Sequence, residues 1–375
     1  MTPTRTDWRL IGLLYVGGLL AAWQFAKIAL VLDALGDVYP DTPVSLLVSG
    51  VSFAGIVFGA TAGVIIARFG ARRALLAALV TAAGLTALQA LLPAYPLMMG
   101  LRILEGFAHL TIVVAAPTLM AASAIGKDIP VAMGLWGTFF GVGFAFAALV
   151  FPVFGGTSGI LVANAVALLV LVLALWPLLP RSERQRGDGQ SFIARHASIY
   201  RNPRLVAPAL GFFAHTLVFL GLLTFLPQIL GGWTAPVLPL VALLGTFGAG
   251  AMARHLAPSR ILLVAFVVST TGLLLASLLP EDMRLWIVMP LMVVIGLVPG
   301  AAFANVPHLN DNSSDQALAN GAIAQLGNVG TATSVPLLAF ALTAGFAGIT
   351  AVVSTISVIG FVVVWLIHRK IGEAA

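Results

Sequence analysis

Charged residues and cysteine are what this sequence has least of. Its 375 residues contain no cysteine, and only 9% are charged, against 60% hydrophobic. A soluble domain normally carries about a quarter charged residues, so this chain could not keep a water-facing surface soluble. The lack of cysteine excludes a disulfide scaffold and thiolate chemistry. An integral membrane protein is the class that fits this composition.

The hydrophobic residues are grouped in blocks. About twenty apolar residues are enough to cross the hydrocarbon core of a bilayer as a helix. The first block, Trp8 to Leu32, is too long for the apolar part of a signal peptide and predicts a first spanning helix. The sequence predicts an all-α integral membrane protein with twelve transmembrane helices, at residues 8–32, 44–67, 72–92, 95–122, 130–152, 157–179, 204–230, 234–253, 257–279, 284–309, 316–342 and 346–368.

One long polar segment divides these blocks into six plus six. It predicts an N-terminal six-helix bundle over residues 1–180, a cytoplasmic central loop over 181–203 and a C-terminal six-helix bundle over 204–375. A weak internal repeat supports the division, since Gly59 precedes Arg68 by nine residues, as Gly245 precedes Arg254. Glycine-rich helices at equivalent positions of two halves are typical of repeat-built transporters. The two bundles are therefore predicted to be pseudo-symmetric.

The basic residues predict the orientation. With a cytoplasmic N-terminus, sixteen of the nineteen Lys and Arg residues fall on the cytoplasmic side, including Lys127 and six arginines at 181–204, while only Arg284 lies in an outer loop. This asymmetry follows the positive-inside rule and predicts that both termini are cytoplasmic. Topology thus explains the net charge of +6 without a nucleic-acid partner. The alanine- and arginine-rich composition favours a bacterial inner membrane.

The loop after the second block carries a known motif. It reads Gly63-Val-Ile-Ile-Ala67-Arg68-Phe69-Gly70-Ala71-Arg72-Arg73. This resembles the signature loop of the major facilitator superfamily, except that Ala67 replaces the usual aspartate. In the fourth block, Arg102-Ile-Leu-Glu105-Gly106 is similar to the family's Arg-x-x-x-Gly motif. The first half also resembles, faintly, the cyanate and nitroimidazole transporters of that superfamily.

A third motif lies in the fifth block, which reads Gly137-Thr-Phe-Phe-Gly141-Val142. It resembles the family's glycine-rich antiporter motif, with Val142 in place of the proline. The resemblance implies the major facilitator fold, in which helices 1, 4, 7 and 10 line a central cavity. It also implies a conformational latch at the cytoplasmic ends of the halves, here formed by Gly63, Arg68, Gly70, Arg72, Arg73 and Arg254.

Ionisable residues within the apolar blocks are the candidate site. Arg102, Glu105 and His109 are spaced three and four residues apart, which places them on one face of a helix. Gln24 and Lys27 share a face of the first helix. A charge at this depth costs several kcal/mol, so each one suggests a function. The candidate substrate-binding residues here are therefore Gln24, Lys27 and Arg102.

Proton coupling is assigned to Glu105 or His109, because burial raises a carboxyl pKa and histidine titrates near neutrality. Asp33 is a further candidate, since it could lie at the same depth. In the alternative interpretation, Arg102 and Glu105 only neutralise each other and hold the fourth helix against its neighbours.

The second half supplies candidates without formal charge. His215, Asn305, Gln325 and Asn328 are predicted to contact the substrate, so that charge recognition comes from the first half. His215 could instead be a packed core residue, and Gln325 and Asn328 could hydrogen-bond between helices. The six histidines are scattered singly, which argues against a metal site.

The leading functional hypothesis is proton-coupled secondary transport of a small organic or inorganic anion by alternating access. An exporter of lipophilic drugs or metabolites is the alternative, and a non-transporting receptor or assembly factor is a third class. No enzymatic nucleophile motif is present, so an enzyme is not expected. The expected partners are a small-molecule substrate, protons and the bilayer, with no cofactor, and the protein is expected to be monomeric.

Overall fold

The computed structural model describes residues 5–125, 128–179 and 191–372. Within these ranges the chain forms α-helices and two short 3₁₀ helices, and no strand. Lys127 and the first part of the predicted central loop, with Arg181, Arg184 and Arg186, lie outside the described residues. The described residues form two compact units. The first contains the described residues up to Gly55 and from Thr61 to Leu179, and the second contains Ile56–Ala60 and the described residues from Ser191 onward.

The first unit is built from the N-terminal helices. Their bounds are α1 Trp8–Ala29, α2 Leu32–Val38, α3 Ser45–Gly50, α4 Phe53–Phe58, α5 Ala62–Phe69, α6 Ala71–Gln89, α7 Tyr95–Ala122, α8 Asp128–Gly137, α9 Phe139–Val150 and α10 Thr157–Leu175. The last residues of α4 belong to the second unit. Helix α7 packs against α1 and α6, and α1 also packs against α9 and α10.

The second unit contains longer, mostly uninterrupted helices. Their bounds are α11 Phe192–Arg201, α12 Pro203–Leu230, α13 Thr234–Met252, α14 Pro258–Ser277, α15 Arg284–Leu309, α16 Ser313–Leu342 and α17 Gly345–Ile371. Helix α12 packs closely on α16 because Gly221 has no side chain, and its N–H donates to Ser334 Oγ at 2.9 Å. Close approach through small residues is how helices associate in lipid.

Nine of the described helices are long and apolar enough to cross a membrane, and a bent pair makes a tenth. The nine are α1, α6, α7, α10, α12, α13, α14, Glu281–Leu309 and α17. The two other predicted blocks correspond to the broken segment α3–α5 and to α16, whose Asn320, Gln325 and Asn328 make it more polar. The all-helical membrane fold is thus confirmed, with two blocks less regular than the sequence suggests.

The second predicted block is not one helix. The sequence predicts a continuous helix over 44–67, but the structure divides it into α3, α4 and α5. This stretch contains several glycines, each of which costs a helix about 1 kcal/mol relative to alanine. Gly50 lies so close to α7 that an added Cβ would be 2.9 Å from Arg102 Cβ. The break therefore brings the backbone near the buried arginine.

The fifth predicted block is bent. Helices α8 and α9 meet at Thr138 with an angle of 48°. Thr138 Oγ1 lies 2.8 Å from the Leu135 carbonyl oxygen and 2.7 Å from the Tyr15 hydroxyl. Bonding of a threonine side chain to its own helix backbone commonly bends helices. The bend turns the aromatic residues around Thr138 toward α1.

The central polar segment is not entirely a loop. Ser191 caps α11 by accepting a hydrogen bond from the Ala194 N–H at 3.2 Å. One face of α11 is buried through Arg195 and Ile199, while Ile193 on another face is 78% exposed. Spacing of buried residues by four marks an amphipathic helix. Only the net charge of this segment is evident from the sequence, because a single ten-residue helix gives a weak periodic signal.

A substitution at Gly70 tests the turn between α5 and α6. Gly70 has φ +86° and ψ +124°, a conformation that side chains with a Cβ rarely adopt. We expect Gly70→Ala to destabilise the protein by about 1–3 kcal/mol, measured as a lower unfolding temperature in detergent. Gly84→Ala is the matched control, because Gly84 is helical and nothing lies within 4 Å of an added Cβ. Equal unfolding temperatures for the two variants would contradict this explanation of the turn.

Candidate functional site

The structure brings the charged residues of α7 and α1 together in the core of the first unit. Lys27, Arg102 and Glu105 are each 0% exposed. Helical spacing explains their positions, because Arg102 and Glu105 are three residues apart on α7 and face α1. We call Lys27, Arg102 and Glu105 the ionic cluster.

Glu105 is the centre of the cluster. Its Oε1 accepts hydrogen bonds from Lys27 Nζ at 2.5 Å and from Thr86 Oγ1 at 3.0 Å. Its Oε2 accepts one from Gln89 Nε2 at 2.9 Å and another from the guanidinium of Arg102. A carboxylate that accepts four hydrogen bonds, two of them from cations, is held in its ionised form.

Lys27 is bonded as an ammonium group. Its Nζ lies 2.6 Å from Thr86 Oγ1 and 3.3 Å from Asn164 Oδ1, in addition to Glu105. An ammonium has three N–H donors, and here three acceptors surround it. The Thr86 hydroxyl can accept from Lys27 while it donates to Glu105, so the bonds are mutually consistent.

Arg102 holds three helices together. Besides its bond to Glu105, its Nε donates to the Leu47 carbonyl at 2.8 Å and its Nη2 donates to the Gln24 carbonyl at 2.7 Å. These carbonyls belong to α3 and α1. The guanidinium therefore ties α1, α3 and α7 together at the depth of Glu105, and the broken helix supplies one of its acceptors.

The ionic cluster carries one unit of positive charge in excess. Two cations and one carboxylate give +1, and the residues that bond to them (Thr86, Gln89 and Asn164) are neutral. An uncompensated buried charge costs several kcal/mol in a protein interior. Such a charge attracts an anion, and the attraction is stronger than in water because the surroundings are poorly polarisable.

Several polar atoms beside the cluster are buried without a hydrogen-bond partner in the described part of the chain. They are Gln24 Nε2, Gln24 Oε1, Gln89 Oε1 and Asn164 Nδ2. Buried amide groups are normally hydrogen-bonded, often to an internal water. These atoms leave the site able to bind water or another polar group next to the charges.

His109 lies one turn from Glu105 along α7. It is only 6% exposed, and its ring meets the Phe25 ring edge to face at 5.1 Å between centroids. Among the described residues, its Nδ1 has no hydrogen-bond partner. The ring therefore has one buried nitrogen whose hydrogen-bonding capacity no described side chain satisfies.

Asp33 lies apart from the ionic cluster. It belongs to the short helix α2, and its side chain is exposed. Among the described residues, the hydrogen-bond partners of Lys27 and Glu105 do not include Asp33. The structure thus brings four first-half candidates together: Gln24, Lys27, Arg102 and Glu105. His109 lies beside them on α7, and Asp33 on α2 lies apart.

Two candidates of the second unit are buried in different surroundings. His215 stacks on Phe219 with 4.5 Å between ring centroids, and its Nδ1 has no partner among the described residues. Asn305 Nδ2 lies 2.8 Å from Nε2 of His368, which is itself fully buried. Because His368 Nδ1 lies 2.9 Å from the Val364 carbonyl, the ring is fixed at both nitrogens.

Gln325 and Asn328 bond to protein groups. Gln325 Nε2 donates to the Ile56 carbonyl at 2.7 Å, and its Oε1 accepts from the Tyr200 hydroxyl at 2.9 Å. Asn328 Nδ2 donates to the Ala324 carbonyl of its own helix at 2.7 Å. These contacts match the interhelical interpretation for Gln325, and they place Asn328 against its own backbone.

The residues of the predicted latch are mostly at the surface. Four are exposed: Gly63, Arg68, Arg73 and Arg254. Gly70 forms the buried turn between α5 and α6. Arg72 donates from Nη2 to the Trp176 carbonyl at 2.9 Å, within the first unit.

The sequence did not reveal Thr86, Gln89, Asn164 or His368 as neighbours of the candidates. Uncharged polar residues in apolar helices are common, and nothing in their spacing identifies a partner on another helix. One signal was present: Thr86 and Gln89 are three residues apart on α6, which puts them on one face.

The charge of the cluster predicts how two substitutions affect stability. Lys27→Met leaves Arg102 paired with Glu105 and the cluster neutral, whereas Glu105→Gln leaves two buried cations without a counter-charge. Removing one partner of a buried ion pair costs about 3–5 kcal/mol. We therefore expect Glu105→Gln to lower the unfolding temperature in detergent much more than Lys27→Met. Equal stabilities would show that the cluster does not carry the excess charge.

Solved structures show the same fold. The inward-open xylose transporter XylE from E. coli aligns with a TM-score of 0.74 at 14% identity, covering 96% of this chain and 95% of that chain. A D-xylose-proton symporter gives 0.75 at 14% identity, covering 96% and 97%. A bacterial homologue of the human lysosomal transporter Spinster gives 0.73 at 14% identity, covering 96% of each.

The sequence comparison agrees with the structural one. No curated protein matches the sequence. The family model of the Major Facilitator Superfamily matches residues 14–330, which is most of the chain. That match confirms the predicted resemblance to this family, and it spans the signature loop and the fourth helix. This multi-pass membrane protein therefore belongs to the major facilitator superfamily of transporters.

Proposed function

We propose that this protein is a proton-coupled secondary transporter of a small organic or inorganic anion. The observation that carries the proposal is the excess positive charge of the ionic cluster, fully buried within the first unit. Membership of the superfamily supports secondary transport by alternating access, in which a midplane site is exposed to each side in turn. The excess positive charge of the ionic cluster narrows the proposed substrate to an anion.

Electrostatics explains why this charge selects an anion without touching it. All three charged side chains are fully enclosed, so their hydrogen bonds are made to the protein. At an effective dielectric constant of 20, a unit charge about 10 Å away still contributes about 1.7 kcal/mol. An anion near the first unit would gain this energy, and a cation would lose it.

We assign the coupling proton to His109 in preference to Glu105. Protonating Glu105 would break at least one of its four hydrogen bonds, whereas His109 Nδ1 has none to lose among the described residues. A protonated His109 adds a cation one turn from the cluster. Because proton and anion then stabilise each other's binding, the coupling is reciprocal. Glu105 keeps a proton-coupling role only if the cluster opens during transport.

The structural neighbours support the choice of the proton as the coupling ion more than they support any particular solute. One of them is described as a D-xylose-proton symporter. We extend proton coupling to this chain because His109 provides a titratable group beside the site. A sugar is neutral and would gain little from the excess charge, so the anion remains our proposed substrate.

An exporter of lipophilic compounds remains the second candidate. The observation in its favour is the set of aromatic contacts around Phe25 and His109. Such an exporter would not need the excess charge. Transport of lipophilic cations or neutral drugs that is unaffected by Lys27→Met would favour it over the anion transporter.

The cellular setting follows from the same proposal. We propose that the protein works as a monomer in a bacterial inner membrane, with both termini in the cytoplasm. The basic residues at Arg68, Arg73 and Arg254, which are exposed, would then lie at the cytoplasmic ends of the helices, where the predicted latch is expected.

Lys27 provides the first functional test. We expect Lys27→Met to reduce anion uptake into liposomes by about tenfold or more, because it removes the excess charge. The substrates would be a panel of inorganic anions and alkyl sulfonates, which do not cross lipid as neutral acids. Lys370→Met makes the same substitution at an exposed site and should transport normally. Equal uptake by the two variants would refute the role of the cluster.

His109 provides the second test. In liposomes that contain a pH-sensitive dye, anion addition should move protons in the wild type. We expect His109→Gln to lose proton flux and pH-driven accumulation while it still exchanges labelled anion for unlabelled anion. Proton flux that survives in His109→Gln and disappears in Glu105→Gln would place the proton on Glu105 instead.

A further inference from the structure

A run of aromatic contacts leads along α1, α8 and α9 to His109. Trp136 stacks on Phe139 with 4.6 Å between centroids, and Phe139 contacts Phe140 at 6.2 Å. Phe140 contacts Phe25 at 6.0 Å, and Phe25 meets the His109 ring at 5.1 Å. We call Trp136, Phe139, Phe140 and Phe25 the aromatic shelf.

The backbone is shaped to hold the shelf in place. An added Cβ on Gly18 of α1 would be 2.7 Å from Trp136 Cζ3 and 2.9 Å from Phe139 Cβ. The indole therefore rests directly against α1 because Gly18 has no side chain. Trp136 at the end of α8 and Phe139 at the start of α9 stack across the bend at Thr138.

Phe140 is partly exposed on the inner face of its helix. It lies four and seven residues before Phe144 and Ala147, which are both 0% exposed, so the three share one face. The outward face carries Phe146 at 48% and Leu149 at 59% exposure, as expected for contact with lipid. Phe140 is therefore partly exposed on the face that otherwise packs inside the unit, and not on the outward face.

The shelf has the dimensions of a small ring compound. Gly18 and Phe25 are seven residues apart on α1, which corresponds to about 10 Å along the helix axis. One end is the partly exposed Trp136, and the other is His109, whose buried Nδ1 has no partner among the described residues. A molecule with one or two rings fits this length, with a polar group at the His109 end.

We infer that the transported anion carries a flat aromatic or heteroaromatic ring, which packs against Trp136 and Phe140 while its charged group points toward His109. This inference rests on the proposed function, since the ionic cluster supplies the preference for negative charge. Aromatic rings gain from offset stacking and edge contacts beyond the area that they bury, whereas a saturated ring of similar size gains only burial. The shelf should therefore discriminate flat rings from saturated ones.

The test compares uptake of labelled benzenesulfonate and cyclohexanesulfonate into liposomes. Both are permanently charged and do not cross lipid unaided, and they differ mainly in ring flatness. We expect the wild type to favour benzenesulfonate by about threefold to tenfold. Trp136→Leu and Phe140→Leu should each reduce the preference toward onefold by slowing benzenesulfonate alone. Trp233→Leu removes a 58% exposed indole of the second unit and should keep the preference.

The possible outcomes separate the two proposals. Equal uptake of both sulfonates by the wild type would overturn the aromatic substrate and leave the anion transporter intact. A preference that persists in both Trp136→Leu and Phe140→Leu would also overturn it, because the ring would bind elsewhere. Uptake of neutral benzenesulfonamide above that of protein-free liposomes, with no uptake of either sulfonate, would instead overturn the proposed function. A lack of protein-dependent uptake of all three compounds would overturn the inferred aromatic substrate.

Discussion

The bonds between one carboxylate and two cations in the interior of the first unit are the interaction on which the rest of this site depends. Glu105 binds Lys27 and Arg102 at once and accepts hydrogen bonds from Thr86 and Gln89 of α6, while Asn164 of α10 accepts one from Lys27. Four helices, α1, α6, α7 and α10, are therefore linked through Glu105 and Lys27 together. Because these side chains are fully buried, each bond is stronger than at a surface, and each uncompensated charge is more costly. The excess positive charge of the cluster is the property that we propose attracts the transported anion.

The structure combines two interpretations that the sequence leaves as alternatives. Arg102 has structural bonds, since it ties α1 and α3 to α7 through backbone carbonyls. Lys27 is the residue that makes the cluster positive, so the same three side chains can both hold helices together and attract an anion. The buried His109 lies next to this enclosed centre, and Trp136, Phe139 and Phe140 of the aromatic shelf are partly exposed. A solute would thus respond to the charge of the cluster while it contacts the rings, and the enclosed bonds need not open.

The fold and the charged centre of the site were largely predictable from the sequence, because both rest on strong signals. Long apolar blocks define membrane helices, and ionisable residues spaced by three and four within them are rare enough to stand out. The neutral partners Thr86, Gln89 and Asn164 were not predictable, since contacts between helices depend on rotation about each axis. The breaks at 51–52 and at Thr138 were missed because hydropathy averages over many residues. Asp33 was placed with the cluster from depth alone, which does not determine where a short helix turns.

The most direct test of the charge hypothesis compares two ligands of equal size that differ by one charge. Binding of methanesulfonate and of neutral methanesulfonamide would be measured by calorimetry on the wild type, Lys27→Met and Lys370→Met. We predict that the wild type and Lys370→Met bind the anion about tenfold more tightly than the amide, and that Lys27→Met loses this preference. Equal affinity for both ligands in the wild type, or an unchanged preference in Lys27→Met, would contradict the claim that the buried ionic cluster selects an anion.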